Sequence, residues 1–257
     1  MFSGKVVLIT GSSSGIGAGA AVHFSKLGAN VVITGRKSDK LKNVSEQCER
    51  VGHKPLTVVG DISDYTFLDR LLKETIETYK RLDVLVNNAG IGSKGSLLTT
   101  TMADYEYTLR VNVHSVFYLT KLAMPHLIQT RGNVVNVSSA ASKVPVPAIL
   151  AYSMSKAAMD HFSRIVSLEM ASRGVRVNVV NPGPIYTDIG VNSGATEEQV
   201  AQSYEIFAKM NPLKRVGTVE ETATAIAFLA SEECASYITG VCLEVDGGQR
   251  LMCVMAD

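Results

Sequence analysis

The sequence predicts a single α/β domain: a doubly wound, seven-stranded parallel sheet with helices on both faces. Three observations carry that expectation. Short runs of Val, Ile and Leu, apolar almost throughout, recur along the 257 residues, as strands covered on both faces require. Longer segments with helical apolar spacing alternate with them, and βαβα order implies right-handed crossovers within one parallel sheet. No Pro/Ser-rich linker, charge block or internal repeat divides the chain, so residues 1–257 read as one unit, a length that α/β domains commonly reach.

The strands, in order, are KVVLIT (5–10), NVVIT (30–34), PLTVV (55–59), DVLVN (83–87), NVVNVS (133–138), VRVNVV (175–180) and VCLEV (241–245). Helical periodicity covers 15–28, 38–51, 64–80, 104–128, 151–172 and 219–230. Asp39 falls in the first turn of the second helix, where it complements the dipole, and Asp61 stands where it can cap the third. Between the sixth strand and the last helix lies an insertion, 184–212, carrying Ile185, Tyr186, Ile189, Val191, Phe207 and Met210, with Gly190 and Gly194 as hinges. Structureless segments longer than ~15 residues are usually functional or disordered. A substrate lid is expected there, with a plain surface loop as the alternative. Val144-Pro145-Val146-Pro147 and Ile149 add apolar surface beside it.

Composition removes several classes. With 25 Lys and Arg against 24 Asp and Glu, the net charge is +1, so no basic field argues for nucleic acid or an anionic membrane. No apolar run approaches the ~18 residues of a membrane span. Cys48, Cys234, Cys242 and Cys253 are scattered, without CxxC spacing or a secretory leader; reduced thiols in the cytoplasm are expected. The five histidines form no HExxH or His/Cys cluster, and no metal site is expected.

In a doubly wound sheet ligands bind beyond the carboxyl ends of the strands. The first such end reads TGSSSGIGAGA, Thr10 to Ala20. Gly11-Ser12-Ser13-Ser14-Gly15 matches the G-x-S-x-G elbow that presents a serine nucleophile in hydrolases. Gly15-Ile16-Gly17-Ala18-Gly19-Ala20 matches G-x-G-x-x-A, but too far past the strand for its first glycine to make the turn. The workable dinucleotide register is Gly11, Gly15 and Gly17. Gly11 turns the chain, and the other two let the helix start approach a pyrophosphate and pack on the sheet. Free N–H groups and the helix dipole then hold phosphates, with Ser12, Ser13 and Ser14 as additional donors. The hydrolase reading needs an acid and then a histidine downstream. Asp61, Asp83 and His161 satisfy that order, but no upstream loop remains to complete an oxyanion hole.

A second chemical signal is AYSMSK, Ala151 to Lys156. Tyr152 and Lys156, at i and i+4, share one helix face. Bringing a phenol from a pKa of about 10 to about 7 needs roughly 4 kcal/mol. One cation about 4 Å away supplies that at an effective dielectric near 20. The pair reads either as a tuned acid/base or as a tyrosine beside a solvated lysine.

TGSSSGIG at 10–17, NNAG at 87–90, Asn112, SS at 138–139, YSMSK at 152–156 and NPGPIYT at 181–187 fall in one order along the chain. Together they resemble the short-chain dehydrogenase/reductase family in its single-domain, Rossmann-type form, from KVVLITG to ITGVCLEVDGG. The resemblance implies catalysis by Asn112, Ser139, Tyr152 and Lys156. Tyr152 is the acid/base, Lys156 lowers its pKa and holds the nicotinamide ribose, and Ser139 bonds the substrate oxygen. Asn112 interrupts its helix and holds a water reaching Lys156, its other reading being a polar surface residue. Cofactor contacts are implied for Gly11, Ser13, Ser14, Gly15, Ile16, Gly17, Arg36, Asp61, Ile62, Asn88, Ala89, Gly90, Tyr152, Lys156, Pro182, Gly183, Ile185 and Thr187.

The family's acidic position at the end of the second strand is Gly35 here, followed by Arg36 and then Lys37 and Ser38. An acid there bonds the ribose hydroxyls of NAD, whereas arginine accommodates a 2′-phosphate. The cofactor expected is therefore NADP(H). The expected activity is NADP-dependent interconversion of a carbonyl and an alcohol, in the reducing direction. The alternatives are a 3-oxoacyl-thioester reductase of the same fold, a dinucleotide-binding sensor without turnover, and a serine hydrolase using Ser13. The resemblance also implies a homotetramer built on helices 104–128 and 151–172, with Tyr107, Val111, Phe117, Phe162 and Val166 as interface candidates. The apolar LMCVMA end, 251–256, is a further candidate for burial against a partner.

Overall fold

A computed structural model describes residues 1–187, 190 and 196–251. Seven strands form one sheet: β1 (Val6–Ile9), β2 (Asn30–Gly35), β3 (Leu56–Val59), β4 (Val84–Asn87), β5 (Asn133–Val137), β6 (Arg176–Pro182) and β7 (Cys242–Val245). Their order is β3-β2-β1-β4-β5-β6-β7, and every pair is parallel. The sense of winding reverses between β1 and β4, where a crevice opens at the carboxyl ends.

The helices are α1 (Gly15–Lys26), α2 (Ser38–Val51), α3 (Tyr65–Tyr79), α4 (Met102–Leu109), α5 (Ser115–Thr130), α6 (Leu150–Ala171), α7 (Glu197–Met210), α8 (Val219–Ala230) and α9 (Glu232–Ala235). Strand alternation splits the core. Val7 and Ile9 pack with Phe24, Leu41, Ile226 and Leu229 on one face. Val6 and Leu8 pack with Leu68, Leu71, Leu119 and Leu127 on the other. Because both faces are covered, the strands read as unbroken apolar runs rather than alternating ones. Among the described residues no helix is long and apolar enough to cross a membrane.

Two readings of the sequence are corrected, for the 104–128 segment and for the cap of α3. The 104–128 segment is not one helix: a π-helical turn, Arg110–His114, joins α4 to α5. The 184–212 insertion contains α7, opened by a capping box in which Thr196 and Gln199 bond each other's backbone. Ile189, Val191 and Gly194 of the expected lid lie outside the described residues, as do 252–256 of the apolar C-terminal run. Finally, Asp64 rather than Asp61 caps α3, its carboxylate accepting from the Thr66 amide at 2.9 Å.

Candidate active site

A cleft of about 360 Å³ runs along the carboxyl edge of the sheet, from Arg36 at one end to Phe207 at the other. Every expected cofactor residue lines it except Gly17, and Ser139 lines it as well.

The turn after β1 explains its glycines. Gly11 has φ +67, and a Cβ there would lie 2.7 Å from the Ala89 Cα. Gly17 serves packing rather than phosphate approach, since a side chain there would collide with the Gly11 carbonyl and the Asn88 amide. Ser14 precedes α1 without a side-chain capping bond, and no acid occupies the first turn. The amides of Gly15 and Ile16 therefore open into the cleft as an anion cradle. Ser12 does not join them. It is fully buried, donates to the Ile9 carbonyl at 2.6 Å and accepts from the Thr34 amide at 3.0 Å, bracing β1 to β2.

The end of the cleft beside β2 is basic. Arg36, Lys37 and Lys40 line it with Gly35, and no acid stands at the end of β2. Lys40, one turn into α2, escaped the sequence reading because nothing in its local pattern marks it. Asp61 accepts from the amide and hydroxyl of Ser63, both at 2.9 Å, and its other oxygen lies 3.8 Å from Arg36. In the NNAG segment, Asn87 is turned into the sheet toward Thr120 and Asn136. Asn88 reaches back to the Thr10 carbonyl at 2.9 Å, and the Ala89 amide donates to the Thr10 hydroxyl at 3.0 Å. These bonds fasten the β1 turn to the end of β4.

Ser139, Tyr152 and Lys156 meet at the inner end. Ser138 and Ser139 diverge as expected. Ser138 donates to the Lys156 carbonyl at 3.1 Å, while Ser139 caps a short 3₁₀ turn, Ala140–Ser142, by accepting from the Ala141 amide, and lies beside the Tyr152 phenol. Burial pushes the Tyr152 phenol above its ordinary value, and only Ser139 opposes this. The expected lowering by Lys156 is not what this geometry gives. The Lys156 Nζ donates to the Val137 carbonyl at 2.9 Å and lies 5.7 Å from the centre of the Tyr152 ring, so desolvation prevails. Lys156 itself is only 3% exposed, and burial lowers its pKa to about 8 against the pull of Asp160.

Asn112 sits in the π turn, fully buried, which excludes the surface reading. It does not line the cleft. Its side chain accepts from the Ile91 amide at 2.9 Å and donates to the Ile91 carbonyl and the Ser155 hydroxyl, both at 3.0 Å. It thus pins the loop after β4 to α6.

Ile91, Tyr107, Val111, Tyr204 and Phe207 wall the outer part beyond Tyr152. Tyr107 and Val111 were interface candidates in the sequence; the structure turns them into the cleft. Val166 likewise packs against the core. No histidine lines the cleft beside Ser13, and Asp83 is engaged with Arg81 at the opposite edge of the sheet. The hydrolase constellation is therefore not assembled.

A family model described as enoyl-(acyl carrier protein) reductase matches residues 11–250. Glucose 1-dehydrogenase of Gluconobacter oxydans is 39% identical over 254 residues, 97% of this chain and 93% of that one. The 3-oxoacyl-(acyl-carrier-protein) reductase of Thermotoga maritima is 35% identical over 246 residues, 95% of this chain and 97% of its own. Among solved structures, a short-chain dehydrogenase/reductase of unknown function from Caenorhabditis elegans, determined with cofactor, superposes with a TM-score of 0.94. It is 34% identical and covers 98% of this chain and 97% of that one.

Proposed function

The chain belongs to the short-chain dehydrogenase/reductase family, and from that premise we propose that it is a cytoplasmic NADP(H)-dependent reductase of a neutral ketone or aldehyde. One observation carries the reading: Ser139, Tyr152 and Lys156 converge at one end of a cleft whose other end presents Arg36, Lys37 and Lys40 and no acid at position 35.

The fit to a dinucleotide rests on the glycine turn and the uncapped start of α1, which leave room and amides for a pyrophosphate. Arg36 and Lys40 would meet a 2′-phosphate, Tyr152 and Lys156 the nicotinamide ribose, and Ile185 and Thr187 the carboxamide. When bound, the dinucleotide supplies the hydride. Ser139 donates to the substrate oxygen and steadies its developing charge, and Tyr152 delivers the proton. A phenol held above its ordinary pKa stays protonated, the state that reduction needs. Lys156, buried, and Tyr152, half-buried, form the floor on which the transfer takes place. The outer walls carry no charge, which favours a carbonyl flanked by apolar groups.

A 3-oxoacyl-thioester reductase is the second reading, favoured by the Thermotoga maritima relative and the description of the family model. An NADPH-oxidation screen over ketones, aldehydes, quinones, steroids and acyl thioesters separates the two. A protein that binds NADPH tightly but oxidises it with none of these would be a dinucleotide sensor, and the reductase reading would fall. The working form is a homotetramer. Its interface candidates are Phe117 on α5 and Phe162 on α6, whose rings stand 6.1 Å apart beside an apolar groove that includes Tyr65 and Met159.

A further inference from the structure

Carboxylates are almost never fully buried unless compensated. Asp160 is 2% exposed, and it follows Lys156 by one turn and Tyr152 by two, on the same face of α6. One oxygen, Oδ2, accepts from the Ser142 hydroxyl at 2.7 Å and the Asn181 amide at 3.0 Å. The other, Oδ1, has no hydrogen-bond partner among the described residues. The two N–H groups of the same Asn181 amide are shared among this oxygen, the Ser139 carbonyl at 3.0 Å and the Ser142 hydroxyl at 2.8 Å. Three segments therefore meet on one carboxylate: the turn that begins at Ser139, the end of β6 leading into Pro182-Gly183, and the helix that carries Tyr152 and Lys156.

Two neutral donors on one oxygen leave a buried negative charge only partly compensated. Lys156 is the buried cation one turn before it on the helix, and the charge of Asp160 raises its hold on a proton. The other charged groups around Asp160 act on the neighbouring Cys242 of β7. Asp160 pushes that thiol up, while Lys143 and Arg164 pull it down. Lys143 is paired with Glu244 and Arg164 is exposed, so neither replaces Lys156.

We propose that Asp160 is a positioning residue of the reaction: it ties the Ser139 turn to the Asn181–Gly183 corner and sets a carboxylate one turn after Lys156 on the same helix face. The proposal rests on the oxidoreductase reading for its catalytic consequence, but not for the electrostatic one. Asp160→Asn keeps the shape and one acceptor oxygen while removing the charge. It should move the alkaline limb of kcat/KM down by about one pH unit or more, the size expected on losing a nearby opposite charge. The Lys156 titration, followed by NMR of 13C-labelled lysine against a Lys156→Arg control for assignment, should move down with it. Ser142→Ala keeps the charge and removes one donor, so it should lower kcat while leaving the limb in place.

Coincident limbs and coincident lysine titrations in wild type and Asp160→Asn would overturn the proposal, and the titration needs no substrate. A shifted titration in a protein without turnover would sink the reductase reading and leave the hold of Asp160 on Lys156 standing. Should Asp160→Asn not melt cooperatively, the smaller uncharged Asp160→Ser is read by the same two measurements.

Discussion

Arg36 Nη1 lies 3.8 Å from Asp61 Oδ2 at the β2 end of the cleft, so the cation that would meet a 2′-phosphate is already shared with a carboxylate. Both side chains are partly exposed, and such pairs contribute little, about 0–1 kcal/mol. A charge-assisted phosphate contact contributes roughly 1.5–3 kcal/mol and displaces it. The wild type should therefore prefer NADPH by about tenfold or more in kcat/KM. Arg36→Ala should erase most of that preference. Adding Gly35→Asp should favour NADH, but a Cβ at 35 would stand 3.0 Å from the Ser13 hydroxyl, so Ser13→Gly should enlarge the reversal. Equal kcat/KM for the two cofactors in the wild type would refute the assignment.

Tyr152→Phe removes only the hydroxyl that Ser139 touches. Turnover should vanish while NADPH affinity, measured by fluorescence titration, stays within about twofold, since a ring of the same shape remains. More than a few per cent residual kcat would remove Tyr152 from its role as proton donor.

The pH profile should reflect Lys156 rather than Tyr152. The phenol is held above its ordinary value and the ammonium at about 8, so the lysine loses its proton first as pH rises. Reduction should fall through an alkaline limb near pH 8, about tenfold per unit beyond it. Stability moves the other way. The unfolded chain binds this proton more tightly than the folded one, so the cost of burying the ammonium is present below pH 8. It is relieved between about 8 and the ordinary lysine value of 10.5, by about 3 kcal/mol. Urea midpoints for wild type and Lys156→Met should converge over that window.

Strands and glycine turns were legible in the sequence because their signals are local. The β-branched runs fall within a residue or two of the observed strands, and α2 and α8 begin and end where their periodicity does. The helix faces near the site were not legible. A single 3.6-residue period drawn through 104–128 places Tyr107 within about 80° of Phe117, on one side of the helix. The π turn at Arg110–His114 adds a residue to one turn and rotates the phase by about 100°. Tyr107, 42% exposed, consequently lines the cleft, whereas Phe117, 53% exposed, does not. Asp160 was invisible for a different reason. Its partners Ser142 and Asn181 are 18 and 21 residues away and meet it only in the fold.

The groove beside Phe117 tests the assembly. Tyr65, Val116, Phe117, Met159 and Phe162 leave a cavity of about 320 Å³ open on the α5–α6 face. Light scattering at micromolar concentration should give a tetramer, and Phe117→Lys should reduce the mass to that of a smaller species. A monomeric wild type would exclude the tetramer.

The last prediction concerns Tyr204, which the sequence reading passed over inside the insertion. Its hydroxyl sits 3.0 Å from the Thr187 amide and from the carbonyls of Ile185 and Thr187, and its ring meets that of Tyr186 at 4.7 Å between centroids, tilted by 60°. A phenol carries one proton, so it accepts from the amide and donates to one carbonyl. This fastens α7, which buries none of its residues deeply, to the segment proposed to hold the carboxamide. Tyr204→Phe keeps the ring pair and releases the bonds, each contributing about 1 kcal/mol. KM for the carbonyl substrate should rise about five- to tenfold, and hydrogen exchange across 197–210 should quicken. If exchange there is not slowed in the wild type by nucleotide plus substrate, α7 does not close over the cleft, and the hydroxyl is only a fastening of the fold.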